Sequence, residues 1–136
     1  MNILAVETST ERCSVSLATA TSEIENHVIA PKGQATLVIK MAEEMLKQCD
    51  LQKSDLNAIA FGSGPGSFNG IRVAASFAHG VAMAQNIDIV PCSTLHALAM
   101  TPNLTASQNV LVISDARQNE VYWSCVRLSA EGQIEK

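Results

Sequence analysis

The sequence predicts an α/β chain: one βββαβαβα unit followed by the opening strands of a second copy. Three observations point there. Short apolar or alternating runs of strand length are interleaved with two longer runs of helical period. A glycine-rich stretch from Ala60 to Val73 joins a strand-like run to a helix-like one, as strand-to-helix turns do. And the pattern of the first strands returns near the C-terminus after a small, polar stretch.

Taken in order, Ile3 to Val6 is a short apolar run that fits a buried strand, and Glu7 stands at its end. Cys13, Val15 and Leu17 then alternate with Ser14 and Ser16, which makes a half-buried second strand and a hairpin. Glu23 to Ile29 offers a third strand, stopped by Pro31 and Gly33. From Gln34 to Cys49 the apolar positions cover an arc of about 200° at the helical spacing of about 100° per residue. That is wider than one sheet needs, so the helix is expected to meet a second surface, either a neighbouring helix or a partner.

Ala58 to Phe61 is a buried strand leading into the glycine stretch, with Gly62, Gly64, Pro65, Gly66, Ser67 and Gly70 forming a shaped loop. Ser67 or Asn69 is placed to cap the helix that runs to about Ala84. In that helix Gly70, Ala74, Ala78 and Ala82 recur every four residues, and small residues at this spacing let another backbone approach. Ile87 to Val90 gives a strand ended by Pro91, and Ser93 caps a helix through about Ala99.

The expected domains are a first unit over 1–101, a linker over 102–109 and the start of a second unit over 110–136. Sliding the N-terminus by 108 positions sets ILAVE on LVISD and Cys13, Val15 and Leu17 on Val121, Trp123 and Cys125. Gly132 to Glu135 answers the third strand. The second unit is thereby expected to lack a helix over its sheet, and the chain to be a fragment or a short version of a two-unit protein.

Composition narrows the function. The 136 residues are 47% hydrophobic with a net charge of −4, enough for a core and no basic field to draw in nucleic acid. Between Lys53 and Lys136 the only Lys or Arg side chains are Arg72, Arg117 and Arg127. The four cysteines, at 13, 49, 92 and 125, have no CxxC spacing and read as reduced core residues. No apolar run approaches the roughly 18 residues needed to cross a bilayer, and a cytoplasmic protein with no membrane partner is expected.

The glycine loop could cradle an anion at a helix N-terminus or be a tight connection. It lacks the lysine and spacing of a P-loop, and its glycines miss the dinucleotide fingerprint. The ETSTERC turn has no glycine and carries Glu11 where a phosphate would approach. His27, His79 and His96 show no metal-binding spacing, and Ser67 lies outside a nucleophile elbow. No catalytic, metal or cofactor-binding residue is therefore expected. Arg72, a cation in the first turn of a helix, calls for a compensating acid such as Glu7, Asp55 or a partner's carboxylate or phosphate.

Several segments resemble one known family. ILAVETSTERCSVSL resembles the ILAIDTST…CSVAL opening of the TsaB (YeaZ) family, and GSGPGSFNGIRV its GxGPGSFTGxRIG. PCSTLHALA is similar to its xVSTLxxLA, and DARQNEVYW to its DARxxEVYxA, in the same order along the chain. Asn69, Glu7 and the Gln34-Ala35 pair depart from the usual Thr, Asp and His-Ser or His-Thr.

The resemblance implies an actin-like ATPase, ribonuclease-H-like fold in two tandem units. It implies a catalytically inactive paralogue of TsaD, the enzyme that places threonylcarbamoyl on adenosine 37 of tRNA. The implied partners are TsaD as a heterodimer, TsaE, an ATPase, in a larger complex, and a homodimer when alone, with tRNA met only through the complex. The implied interface lies on the two over-apolar helices, with Leu37, Met41, Met45, Ala74, Ala78 and Ala82 as its candidates. The alternative is an enzyme, either an actin-fold ATP-dependent one or a glycoprotease-like hydrolase.

Overall fold

A computed structural model describes residues 1–101 and 107–135, which form two compact units, Met1–Pro91 and Cys92–Lys136. The first unit holds a five-stranded sheet of order β3-β2-β1-β4-β5 with two helices. Its strands are β1 (Ile3–Glu7), β2 (Arg12–Ala18), β3 (Glu23–Ile29), β4 (Ala58–Gly62) and β5 (Asp88–Cys92). Its helices are α1 (Gln34–Gln48) and α2 (Phe68–Gln85). The mixed sheet, antiparallel across β1–β2–β3 and parallel at β1–β4, is the actin-like, ribonuclease-H-like arrangement.

Residue alternation decides which side of this sheet is covered. Leu4 pairs with Leu17 and Val6 with Val15, so one face carries these four side chains together with Cys13. All five are buried with Val38, Met41, Ala42 and Met45 of α1 and with Ala74, Ala78 and Ala82 of α2. At about 25 cal/mol per Å² of apolar area, this packing is the main force holding the unit together. β3 lies at the edge and is mostly exposed, as its ENH centre requires.

Local signals set the helix ends. Ser67 is the N-cap of α2 and its hydroxyl accepts from the Gly70 N–H at 3.4 Å. Asn86 ends the helix with φ 53°, in the left-handed conformation that Asn tolerates better than most residues. α1 has no side-chain cap; the Gly33 carbonyl accepts from Thr36 and Leu37 instead. Pro91 does not end β5, which continues to Cys92, consistent with an edge position where the missing N–H costs nothing.

The second unit contains α3 (Thr94–Ala99), capped by Ser93, and a sheet of order β6-β7-β8. β6 spans Gln108–Arg117, β7 Glu120–Leu128 and β8 Ile134–Glu135. Three strands thus answer β1, β2 and β3, as the repeat predicts. The expectation of a sheet without a helix is corrected: Leu95 and Ala99 of α3 pack on Val112, Val126 and Leu128. α3 accordingly belongs with the second unit, whereas the sequence division at 101 leaves it in the first. Of the expected linker, residues 102–106 lie outside the described residues, and β6 already begins at Gln108.

The 108-position slide also needs correction in its faces. It sets Val121, Trp123 and Cys125 on buried positions, but all three are exposed, and Tyr122, Ser124, Val126 and Leu128 point to the α3 side. A register shift between Asp115 and Arg117 accounts for the offset.

Candidate functional site

Because β1 and β4 run parallel, with Val6 beside Phe61, their carboxyl ends emerge side by side. That places the Glu7–Ser9 turn against the glycine loop and the start of α2, where open α/β sheets hold ligands. The contacts there are protein to protein. Ser67 N–H donates to the Ser9 carbonyl at 2.6 Å, and the Thr8 hydroxyl donates to the Gly70 carbonyl at 2.7 Å. The Glu7 carboxylate accepts from the Ser9 N–H at 2.6 Å.

The glycines are explained by this closeness. A Cβ on Gly70 would collide with the Thr8 carbonyl, one on Gly62 with the Glu7 carboxylate, and one on Gly66 would lie 2.5 Å from the Ser9 carbonyl. Gly64 has φ 93°, which a side chain would resist, and a Cβ there would press on Ile71 at 2.6 Å. Pro65 is half-buried beside it. Thr8 and Ser9, whose hydroxyls follow Glu7 in the sequence as part of a possible site, are the buried polar residues of the unit. Their signal was the pairing of two hydroxyls with the Gly66 and Gly70 positions, which only the tertiary fold brings together.

One expectation about this region changes. Arg72 makes no salt bridge among the described residues; its guanidinium lies 3.9 Å over the Phe68 ring, and both side chains are exposed. An aromatic face four residues earlier on the helix provides the compensation that an acid was expected to give. Gln34, where the family usually has His, donates its amide to the Thr10 carbonyl at 2.8 Å and so ties α1 to the same turn.

The candidate interface residues are also relocated. Met41, Met45, Ala74, Ala78 and Ala82 are buried in the unit's own core, and Leu37 packs half-buried against it. The sheet uses them first, which the wide apolar arc could not reveal. What these helices turn outward is different: Ile39 on α1, and Phe68, Arg72, Ser76, His79 and Met83 along α2, with Met83 82% exposed. Between the helices lies an open groove of about 220 Å³ lined by Ile39, Ala42, Phe77, Gly80, Val81 and Ala84. Glu43 and Lys53 also line it and form a 2.9 Å ion pair.

The reading of all four cysteines as core residues holds for Cys13 alone, where burial pushes the thiol pKa up. Cys49 is half-buried, and Cys92 and Cys125 are exposed. His79 is exposed, with Nδ1 2.8 Å from the Ala75 carbonyl, and its ring centroid is 6.0 Å from that of Phe61. Among the described residues no helix is long and apolar enough to cross a membrane.

Comparison with known proteins gives consistent matches. The family model described as TsaD, tRNA N6-adenosine threonylcarbamoyltransferase, matches residues 26–133. The tRNA threonylcarbamoyladenosine biosynthesis protein TsaB of Haemophilus influenzae is 38% identical over 127 residues, which cover 93% of this chain and 54% of that protein. TsaB of Escherichia coli is 34% identical over 125 residues, covering 91% and 54%. The solved structure of YeaZ from Pseudomonas aeruginosa superimposes with a TM-score of 0.90 at 33% identity, over 98% of this chain and 63% of that one. The chain spans about half the length of the curated relatives it matches.

Proposed function

We propose that this chain, which belongs to the family of that model and within it to the TsaB (YeaZ) group, serves threonylcarbamoyladenosine biosynthesis as a non-catalytic binding partner of TsaD. The observation that carries this reading is where the molecule has spent its two candidate surfaces. At the carboxyl ends of β1 and β4 the Ser9 carbonyl and the Ser67 hydroxyl engage N–H groups at the start of α2. A phosphate would compete for the same donors. On the α1–α2 side, by contrast, an apolar groove lined by Ile39, Phe77 and Val81 opens to solvent, as an anchor site for a partner's side chain would, and Met83 is exposed elsewhere on α2.

The interface thus uses the outward side of the helices, with TsaD as a heterodimeric partner and TsaE joining a larger assembly. tRNA is met through that assembly, and the same surface pairs two copies when TsaD is absent. Light scattering of this protein mixed with TsaD at micromolar concentration should give the mass of a complex. Ile39→Glu and Met83→Glu should each weaken it about tenfold or more, since a charge would have to be desolvated at the contact. No complex, or a complex indifferent to both substitutions, overturns the proposal. Tight calorimetric binding of ATP·Mg²⁺ to the protein alone would favour the enzymatic reading instead.

A further inference from the structure

Asn69 is the one asparagine in the sequence that precedes glycine; the others precede Ile, His, Ala, Leu, Val or Glu. A following glycine leaves the peptide nitrogen without a side chain to shield it, which brings the asparagine's own amide carbon within reach of that nitrogen. Packing fixes the glycine: a Cβ on Gly70 would collide with the Thr8 carbonyl, and the Thr8 hydroxyl donates to the Gly70 carbonyl at 2.7 Å. Asn69, by contrast, stands where the family usually has Thr, and its side chain makes no hydrogen bond among the described residues. The fold imposes one half of the pair and leaves the other free.

The place of the pair in α2 leaves the Gly70 nitrogen loosely held. Gly70 is the third residue of the helix, so its N–H is one of those that no carbonyl within the helix engages. The Ser67 hydroxyl accepts it at 3.4 Å, the long end of hydrogen-bond range. First turns also open more readily than helix interiors. The positive end of the helix dipole favours a negative charge here, and Arg72, one turn on, has no carboxylate partner among the described residues.

We propose that Asn69 is a site of spontaneous deamidation, gated by opening of the first turn of α2, and that its aspartate product supplies the acid Arg72 lacks. With the turn open, the Gly70 nitrogen loses its proton to hydroxide and bonds to the side-chain carbonyl carbon of Asn69. The bond from that carbon to the amide nitrogen breaks, ammonia leaves with a proton from water, and a cyclic imide remains. Water that opens the imide at the side-chain carbonyl gives aspartate. Water that opens it at the main-chain carbonyl gives isoaspartate, which adds a backbone carbon beside Gly70 where the Thr8 contact leaves no slack. The aspartate product keeps the backbone as it was and places its carboxylate at the helix N-terminus, three residues before Arg72.

Peptide mapping by mass spectrometry of the 136-residue chain, held at mildly alkaline pH, should find Asn69 converted before any other asparagine. Ser67→Ala, which removes the acceptor of the Gly70 N–H and weakens the first turn, should speed conversion about fivefold. Sub-denaturing urea should speed it in the parent chain, and Asn69→Thr should abolish it. An Asn69→Asp variant isolates the product: its folded-to-unfolded ratio at low salt should exceed the parent's about two- to fivefold, and the gain should shrink when Arg72 is replaced by Ala. Earlier conversion of another asparagine, no conversion at Asn69, or a rate indifferent to both Ser67→Ala and urea overturns the proposal. So does an Asn69→Asp gain that is absent, or that is as large without Arg72, since the new acid would then have no part in holding the cation.

Discussion

Cys13, Val15 and Leu17 on β2 and Val121, Trp123 and Cys125 on β7 follow the same period-two pattern, yet the first three lie under two helices and the second three face solvent. The contrast teaches what alternation can and cannot specify. It fixes which side chains share a face, because successive residues of a strand point to opposite sides. Whether that face is covered depends on elements elsewhere in the chain or on another molecule. In the first unit α1 and α2 cover it; in the second the helix that is present, α3, covers the other face.

The largest test of this contrast is a matched pair of charges. Val15→Lys would bury a cation among Leu4, Leu17 and the helices, at a cost of about 4 kcal/mol or more, enough to unfold a domain of ordinary stability. Trp123→Lys, at the matched position, should change stability by no more than about 0.5 kcal/mol. Urea unfolding followed by circular dichroism measures both. A Trp123→Lys variant as unstable as the Val15→Lys one would break the comparison.

The second test moves the contrast within one helix. Gly70 and Gly80 both lie in α2, but a Cβ on Gly70 would collide with the Thr8 carbonyl, while one on Gly80 would meet nothing within 4 Å. Gly70→Ala should therefore cost about 3 kcal/mol through backbone displacement. Gly80→Ala should raise stability by about 0.5–1 kcal/mol, since alanine loses less backbone freedom in a helix. Thermal unfolding of the pair should move in opposite directions, and equal losses would mean that the groove at Gly80 is already filled.

How much of this was legible in the sequence follows from the same distinction. Strand alternation, the Ser67 and Ser93 caps and the glycine loop are local signals, and they placed nearly every element within a few residues. Which side of a helix faces its own sheet is not local. The wide apolar arc of α1 offered Met41 and Met45 as readily as Ile39, and only packing separates the two buried methionines from the exposed isoleucine. The close approach of Gly70 to Thr8 spans 62 residues and has no sequence signal beyond the glycine itself. In the second hairpin, the register shift at Asp115 and Arg117 moves β7 by one residue against β6, so a single uniform slide sets Leu4 on buried Val112 but Val15 on exposed Trp123.

Thiol chemistry reads the two hairpins without altering them. Cys13 lies on the covered face and Cys125 on the open one. Burial raises the Cys13 pKa, so the fold favours the neutral thiol; this contribution is fully present below the unfolded thiol's pKa and lost as pH rises through the folded value. At pH 8 a disulfide reagent should modify Cys125 at least about 100-fold faster than Cys13, whose reaction must wait for opening of the unit. Mass spectrometry after brief labelling distinguishes the sites, and early loss of Cys13 would show that the helices do not seal the face.

The smallest expected effect belongs to Arg72, and its size separates two accounts of why a cation sits in the first turn of α2. Were it held by a buried carboxylate, Arg72→Ala would leave that acid unpaired and cost several kcal/mol. Its observed position is over the exposed Phe68 ring, where such a stack contributes about 0.5–1 kcal/mol, and its removal also relieves the unfavourable helix dipole. The two terms oppose each other, so Arg72→Ala should shift stability by less than about 0.5 kcal/mol, whereas Phe68→Ala, which keeps the cation and deletes the ring, should cost somewhat more. If Arg72→Ala proves the more damaging of the two in urea unfolding, the guanidinium has a partner beyond the ring, and the start of α2 is held by charge as well as by the Thr8 and Ser9 contacts.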